Sequence, residues 1–311
     1  MKPVVLALCH MPDAHQARIA EYCELIYAFG HDVRREAIAE HGARVDVLLS
    51  NGVTGLTADE VAAMPKLALA CALGAGYESF DIAALRGRGI PLTNGAGTND
   101  RSVADHAFAL LLAVIRDVPA LDRLTRAGVW RTDIDIKPGV SGKRLGILGL
   151  GTIGRHIAKR AEAFDMPVGY HNRSVRHDAP FEYFDSADKL ARWADILVVA
   201  TPGGPQTRHL VGAAVLDALG PQGYLINIAR GSVVDTEALA AALHARTLGG
   251  AGLDVYESEP APPAVLLDCP NVVLTPHVAG WSPEAIDATV ECFLDNVTRW
   301  AAGKPLVNLV A

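Results

Sequence analysis

Short apolar runs alternate with longer amphipathic stretches along most of this chain. That pattern predicts buried strands joined by crossover helices, and so parallel sheets rather than sandwiches or helical bundles. In the first third, Val4–Leu8, Val45–Leu49 and Leu67–Cys71 read as strands, with helices over Ala14–Phe29, Thr57–Ala63 and Asp81–Arg86. Further strands are expected at Leu145–Leu148, Val168–His171, Asp195–Ala200, Tyr224–Ile228, Gly249–Leu253 and Val272–Thr275. A long helical pattern from about Arg101 to Ile115 follows the turn-rich Asn94–Asn99. Another opens at Ser282-Pro283-Glu284, an N-cap, a first-turn proline and an early acid, and stops at Gly303. Asp117–Gly142 reads as irregular, an arm or an oligomer contact.

The two long helices are the places where the chain would cross between domains, and a chain that crosses twice returns to its first domain. Its 311 residues exceed what one hydrophobic core usually supports, and 50% apolar residues supply two. The expected division is residues 1–98 with 283–311, and residues 99–282. A net charge of −7 offers no global basic field for nucleic acid or an anionic membrane, which favours a small-molecule ligand. Cys9, Cys23, Cys71, Cys269 and Cys292 show neither pairing nor metal-ligand spacing, so they read as reduced thiols of a cytoplasmic protein with no metal. Val4–Leu8 is too short for a signal sequence, and no apolar run reaches membrane-span length.

Gly149-Leu150-Gly151-Thr152-Ile153-Gly154 carries the first chemistry. Such a glycine string is weak alone, but here it follows one expected strand, opens a helix and leads to a second strand at the right distance. Gly149 would permit the turn, Gly151 would let the backbone approach a pyrophosphate, and Gly154 would let the helix pack on the strand. The second strand ends at His171-Asn172-Arg173-Ser174. An acid there normally binds the ribose 2′-hydroxyl of NAD. Its absence, with Arg173 and Ser174 able to bind a 2′-phosphate, points to NADPH (NADP+), with NADH as the alternative if Arg173 is merely solvated.

Later apolar runs each deliver polar residues at the carboxyl end, where open α/β sheets bind ligands. These are Thr201-Pro202, Ala229-Arg230-Gly231, Asp254 and Pro276-His277. Arg230 suits a carboxylate or a polarised carbonyl, because its planar fork is always charged. His277 suits proton transfer to a carbonyl receiving hydride. Either Glu257 or Glu259 could hold its second ring nitrogen and stabilise the imidazolium.

These segments together resemble the D-isomer-specific 2-hydroxyacid dehydrogenases. The resemblance rests on Gly149–Gly154, Asn227–Asp235, Gly252–Glu257 with Glu259-Pro260, and Thr275–His277, in that order. It implies two doubly wound parallel-sheet α/β domains. A Rossmann nucleotide-binding domain is inserted in a flavodoxin-like substrate-binding domain, with a cleft between them, usually in a homodimer. The family's catalytic residues fall on Arg230, Glu259 and His277, which selects Glu259 over Glu257. By the same carry-over Asp254 contacts the nicotinamide carboxamide, while Ala229, Thr201 and Pro202 line its pocket. Leu73-Gly74-Ala75-Gly76 matches the loop that binds the substrate carboxylate. Asn172-Arg173-Ser174 resembles the NADPH-preferring glyoxylate and hydroxypyruvate reductase branch. Trp281 is assigned either to the substrate pocket wall or to hinge packing, and Asn51 and Gly52 to the cleft mouth without a catalytic role. The expected activity is reduction of a small 2-oxo acid, glyoxylate or hydroxypyruvate, to the D-2-hydroxy acid. A larger 2-oxo acid (2-ketogluconate or an aryl pyruvate) and a dinucleotide-sensing binding protein are the alternatives.

Overall fold

The computed structural model describes residues 2–310. In chain order its elements begin β1 (Val4–Ala7), α1 (Asp13–Tyr22), β2 (Glu24–Tyr27), α2 (His31–His41), β3 (Val47–Ser50), α3 (Ala58–Ala63), β4 (Leu69–Ala72), α4 (Ile82–Gly87) and β5 (Leu92–Asn94). There follow α5 (Asp100–Arg116), α6 (Val118–Arg126), β6 (Leu145–Leu148), α7 (Thr152–Glu162), β7 (Val168–His171), β8 (Glu182–Tyr183), α8 (Ala187–Trp193) and β9 (Ile196–Val199). The last are α9 (Ala213–Leu219), β10 (Tyr224–Asn227), α10 (Thr236–His244), β11 (Gly250–Leu253), β12 (Val272–Leu274) and α11 (Pro283–Ala301). They form two compact units: residues up to Asn99 together with those from Gly280 onward, and Asp100–Ala279.

The first unit is a five-stranded parallel sheet in the order β2-β1-β3-β4-β5, the flavodoxin-like winding. Successive side chains of a strand point to opposite faces, so each strand feeds two cores. Leu6, Leu48, Ala70 and Leu92 fill one face. Val5, Ala7, Val47, Leu49, Leu69 and Cys71 fill the other, under Val290, Phe293, Leu294 and Val297 of α11. Ser282 caps α11 by accepting a hydrogen bond from the Ala285 amide, as its sequence signature requires. The C-terminal tail covers the β5 edge, where the Val310 amide donates to the Leu92 carbonyl.

Two expectations fail locally. The helix expected over Ala14–Phe29 ends at Tyr22, and Glu24–Tyr27 becomes an edge strand paired with β1. No glycine or proline separates the two elements, so the amphipathic pattern runs on through the break, while ladder pairing with Val4–Ala7 decides for strand. The stretch Asp117–Gly142 is not wholly irregular either. Val118–Arg126 forms α6, opened by a first-turn proline, with no residue buried. The strands β5 and β8 are too short to show a period, and helix α2 buries only Ile38, so its apolar stripe is too weak to mark it.

The second unit is a seven-stranded parallel sheet in the order β12-β11-β10-β9-β6-β7-β8. Counted from β6 this is the doubly wound 3-2-1-4-5-6 order with one further strand. Leu145, Ile147, Ile196, Val198, Ile226 and Ile228 face a core shared with α5 and α7. Leu197, Val199, Leu225, Ala251 and Leu253 face the one under α8, α9 and α10. Because every ladder is parallel, all carboxyl ends lie on one edge, and that edge carries the site.

Candidate active site

The turn after β6 is built from glycines that no other residue could replace. Gly149 has φ +101°, and a Cβ there would lie 2.7 Å from the Ala200 carbonyl oxygen. A Cβ on Gly154 would lie 2.2 Å from the Gly149 oxygen, so the first turn of α7 rests directly on the loop. Gly151, by contrast, opens into free space at the start of α7. That arrangement leaves the helix N-terminus, with Thr152 and Ile153 in its first turn, accessible to an anion.

At the end of β7, the Asn172 carboxamide oxygen accepts from the Leu150 amide at 2.7 Å, which ties this corner to the glycine turn. Arg173 and Ser174 are exposed, and Arg173 donates to the Gln206 side chain at 3.1 Å. No carboxylate occupies this corner of the sequence. After β9, the Thr201 hydroxyl is buried and has no hydrogen-bond partner among the described residues. A buried orphan hydroxyl is costly unless something pairs with it, and it lies on the same strand-end edge as the glycine turn. Thr201, the open Gly151 and the bare α7 terminus together fit a dinucleotide.

Beyond β10, Asn227 shapes the next turn. Its side chain, 1% exposed, accepts from the Ala229 amide and donates to the Arg230 carbonyl, each at 3.1 Å. The half-buried Arg230 guanidinium donates to the Ala229 carbonyl at 2.6 Å. A Cβ on Gly231 would fall 1.9 Å from the Tyr256 carbonyl carbon, so this turn and the segment after β11 are in direct backbone contact.

That segment separates the two glutamates. Glu257 turns away to His209 at 2.8 Å and to the Thr236 hydroxyl at 2.7 Å. Glu259 meets the His277 Nδ1 at 2.8 Å and accepts from the Tyr256 amide at 2.7 Å. Burial opposes the charge on Glu259, but the bonds from His277 and Tyr256, with the nearby Arg230 charge, outweigh it and hold the carboxyl below its usual range.

His277 itself has a left-handed backbone, φ +54°, uncommon for a residue with a side chain. Asp254 holds it there. The His277 amide donates to the Asp254 carbonyl at 2.8 Å, while the Asp254 carboxylate accepts from the Thr275 hydroxyl at 2.6 Å and the Val278 and Ala279 amides at 2.9 Å each. His106 of α5 completes the network, 2.9 Å from the Thr275 hydroxyl. Desolvation of Asp254 is large, yet these donors together keep its carboxyl below the usual range. With 1% exposure, Asp254 acts in this structure as an anchor of the His277 turn. Asn227 and Tyr256 stand inside the family-like segments, which give their side chains no role; His106 was beyond sequence reasoning. It carries no motif and lies 169 residues from Thr275.

In the first unit, the Leu73–Gly76 loop leaves the end of β4. Its Leu73 amide donates to the Ser50 carbonyl at 2.6 Å, while the Gly74 and Ala75 carbonyls accept from the Gly95 amide and the Asn94 side chain. Among the described residues, no chain acceptor takes the amides of Gly74, Ala75 and Gly76. Asn51 does local work, accepting from the Val53 and Thr54 amides, and Gly52 abuts the Gly76 backbone. Trp281 belongs to this unit, its ring 5.6 Å from that of His10, which in turn sits edge-on to Phe29.

A glycine turn at a helix N-terminus, on one sheet edge with an imidazole–carboxylate pair and an arginine, defines a dinucleotide-dependent oxidoreductase. Residues 108–279 match the family described as D-isomer specific 2-hydroxyacid dehydrogenase, NAD binding domain. A hydroxyphenylpyruvate reductase from Plectranthus scutellarioides is 37% identical over 98% of both chains. A glyoxylate/hydroxypyruvate reductase from Arabidopsis thaliana is 36% identical, again over 98% of both. An NADPH-dependent glyoxylate/hydroxypyruvate reductase from Sinorhizobium meliloti, solved with NADP and malonate, superposes with a TM-score of 0.92 at 35% identity, covering 100% of this chain and 97% of that one. The chain belongs to the D-isomer-specific 2-hydroxyacid dehydrogenase family, whose members use NAD(P) to interconvert 2-hydroxy and 2-oxo acids.

Proposed function

We propose that this protein reduces a small 2-oxo acid, glyoxylate or hydroxypyruvate, to the D-2-hydroxy acid with NADPH. The His277–Glu259 pair at 2.8 Å carries the reading, because carbonyl reduction needs one proton at the oxygen and this pair is built to hold one. The nicotinamide, when bound, supplies hydride. Arg230 orients the substrate and polarises its carbonyl, and His277, held as imidazolium by Glu259 until transfer, gives its proton to the new alkoxide and becomes neutral imidazole. The Gly74, Ala75 and Gly76 amides offer donors to a carboxylate, whereas the Leu73 amide is spent on the Ser50 carbonyl. On the cofactor side, Gly149, Gly151 and Gly154 take the pyrophosphate, and Arg173 with Ser174 takes the 2′-phosphate. Thr201, Pro202 and Ala229 line the nicotinamide pocket, with Asp254 contributing through the turn it anchors.

An aryl 2-oxo acid is the second reading, favoured by the exposed rings of Phe29 and Trp281 beside His10 at the carboxyl edge of the first unit's sheet. The protein works as a homodimer in the cytoplasm, a reading supported by the exposed apolar residues Trp130 and Ile136 of the arm and by five free thiols. No helix among the described residues is long and apolar enough to cross a membrane.

Initial rates with NADPH and NADH against glyoxylate, hydroxypyruvate, 2-ketogluconate and phenylpyruvate test the proposal. NADPH-preferred turnover of the two small acids is expected. His277→Ala should lower kcat by about 10²–10⁴ with NADPH binding retained. Turnover with NADH alone would overturn the role of Arg173, and phenylpyruvate preferred over glyoxylate would replace the small substrate by the aryl one.

A further inference from the structure

Read along the chain, the cysteines show no metal-ligand spacing, but the fold assembles one. His244 ends α10, and Asp268 and Cys269 follow a short 3-10 turn just before β12. The Cys269 Sγ lies 3.5 Å from the His244 Nε2, and that same nitrogen lies 3.6 Å from the Asp268 Oδ1. All three donor atoms fall within 4.8 Å of one another.

Two features separate this cluster from a chance surface grouping. First, the thiol and the carboxylate converge on one nitrogen. A Cys–His–Asp proton relay would need the acid on one ring nitrogen and the thiol on the other, so this arrangement is no nucleophile triad. Second, the spacings are those of a coordination polyhedron. A tetrahedral zinc ion holds sulfur at about 2.3 Å and nitrogen or oxygen at about 2.0–2.2 Å, which makes its ligand-to-ligand edges about 3.3–3.6 Å. The two edges at the His244 nitrogen therefore match a tetrahedral site, and the third is no longer than 4.8 Å. Cys269 is 6% exposed, and its thiol also lies 3.9 Å from the Val265 carbonyl, while His244 and Asp268 face solvent and leave an entry path.

We propose that His244, Asp268 and Cys269 form a binding site for a borderline divalent transition metal, zinc by preference, with water as the fourth ligand. A thiolate and an imidazole select against calcium and magnesium, which take oxygen ligands. Binding replaces the thiol proton by the metal, and the proton leaves to solvent. The ion would staple the end of α10 to the turn before β12, closing a segment that contains β11, Asp254 and Glu259. The site lies at the amino ends of the strands, opposite the edge that carries His277, so its role is structural.

Co2+ is the probe, added to the untagged, reduced full-length chain. A thiolate-to-cobalt charge-transfer band saturating at about one equivalent is expected, reversed by excess Zn2+ and abolished in Cys269→Ser. His244→Gln, an exposed change that leaves the core untouched, should weaken Co2+ binding at least about tenfold. Absence of the band in the wild-type chain, its persistence in Cys269→Ser, or unchanged affinity in His244→Gln would each overturn the proposal.

Discussion

Asp254 shows how a single buried carboxylate shapes the turn that carries His277. Its oxygens gather Thr275, Val278 and Ala279, and its carbonyl takes the amide of His277, which fixes the left-handed residue whose ring meets Glu259. The linkage follows from the direction of its shift. A carboxyl held lower in the folded chain than in the unfolded one contributes stability that is full above the ordinary value of 3.8 and is lost as pH falls through the lower folded value. Asp254→Asn keeps the size but replaces one acceptor oxygen by a donor facing other donors. Thermal unfolding at neutral pH should show a loss of about 1–3 kcal/mol, and this difference should shrink below pH 3.8. Equal stability of the two chains at neutral pH would remove Asp254 as the anchor. None of this was legible in the motif alone, which marks Asp254 as important without saying that its side chain faces inward.

At the scale of elements, the strand ends are locked to one another by backbone contact. The turn after β10 and the segment after β11 touch at Gly231, where a side chain would overlap the Tyr256–Glu257 peptide. Gly231→Ala must push these apart, and with them Arg230 from Glu259. We expect a loss of about 1–3 kcal/mol in stability and a larger fall in kcat than in cofactor affinity, read by thermal unfolding and NADPH titration. The elements themselves were mostly readable: β6, β7 and α11 stand within a residue of their sequence signatures, because strong periodicity is bounded there by caps and glycines. Where punctuation is missing, as between α1 and β2, the boundary is set by ladder pairing with a strand far away in the chain.

For the whole molecule, the arm of the second unit is the part that the chain's own cores do not account for. Helix α6 buries nothing, Trp130 is 67% exposed and Ile136 is 99% exposed, an unusual cost for large apolar side chains in water. A second copy of the chain covering the arm would remove that cost. Sedimentation equilibrium should give a dimer for the wild-type chain, and Ile136→Asp should weaken dimerisation by at least about tenfold. A wild-type monomer at micromolar concentration would refute the dimer.

The amino-acid sequence by itself determined what is local or repeated. Where glycines, prolines or caps bound it, hydrophobic period separates strand from helix; glycines mark where backbone must pass closely; and the residue types at strand ends point to hydride and proton transfer on a 2-oxo acid. Tertiary structure alone decided which groups meet. Residue type and spacing left Glu257 and Glu259 equivalent, and only the family resemblance picked Glu259; the turn after β11 supplies the physical reason, sending the two side chains apart, toward His277 and toward His209. His106 joins Thr275, and His244 joins Cys269, across separations that no spacing rule spans. The physical reason is the same in each case: contacts between distant segments depend on sheet order and backbone direction, and these are properties of the packed chain rather than of any window within it.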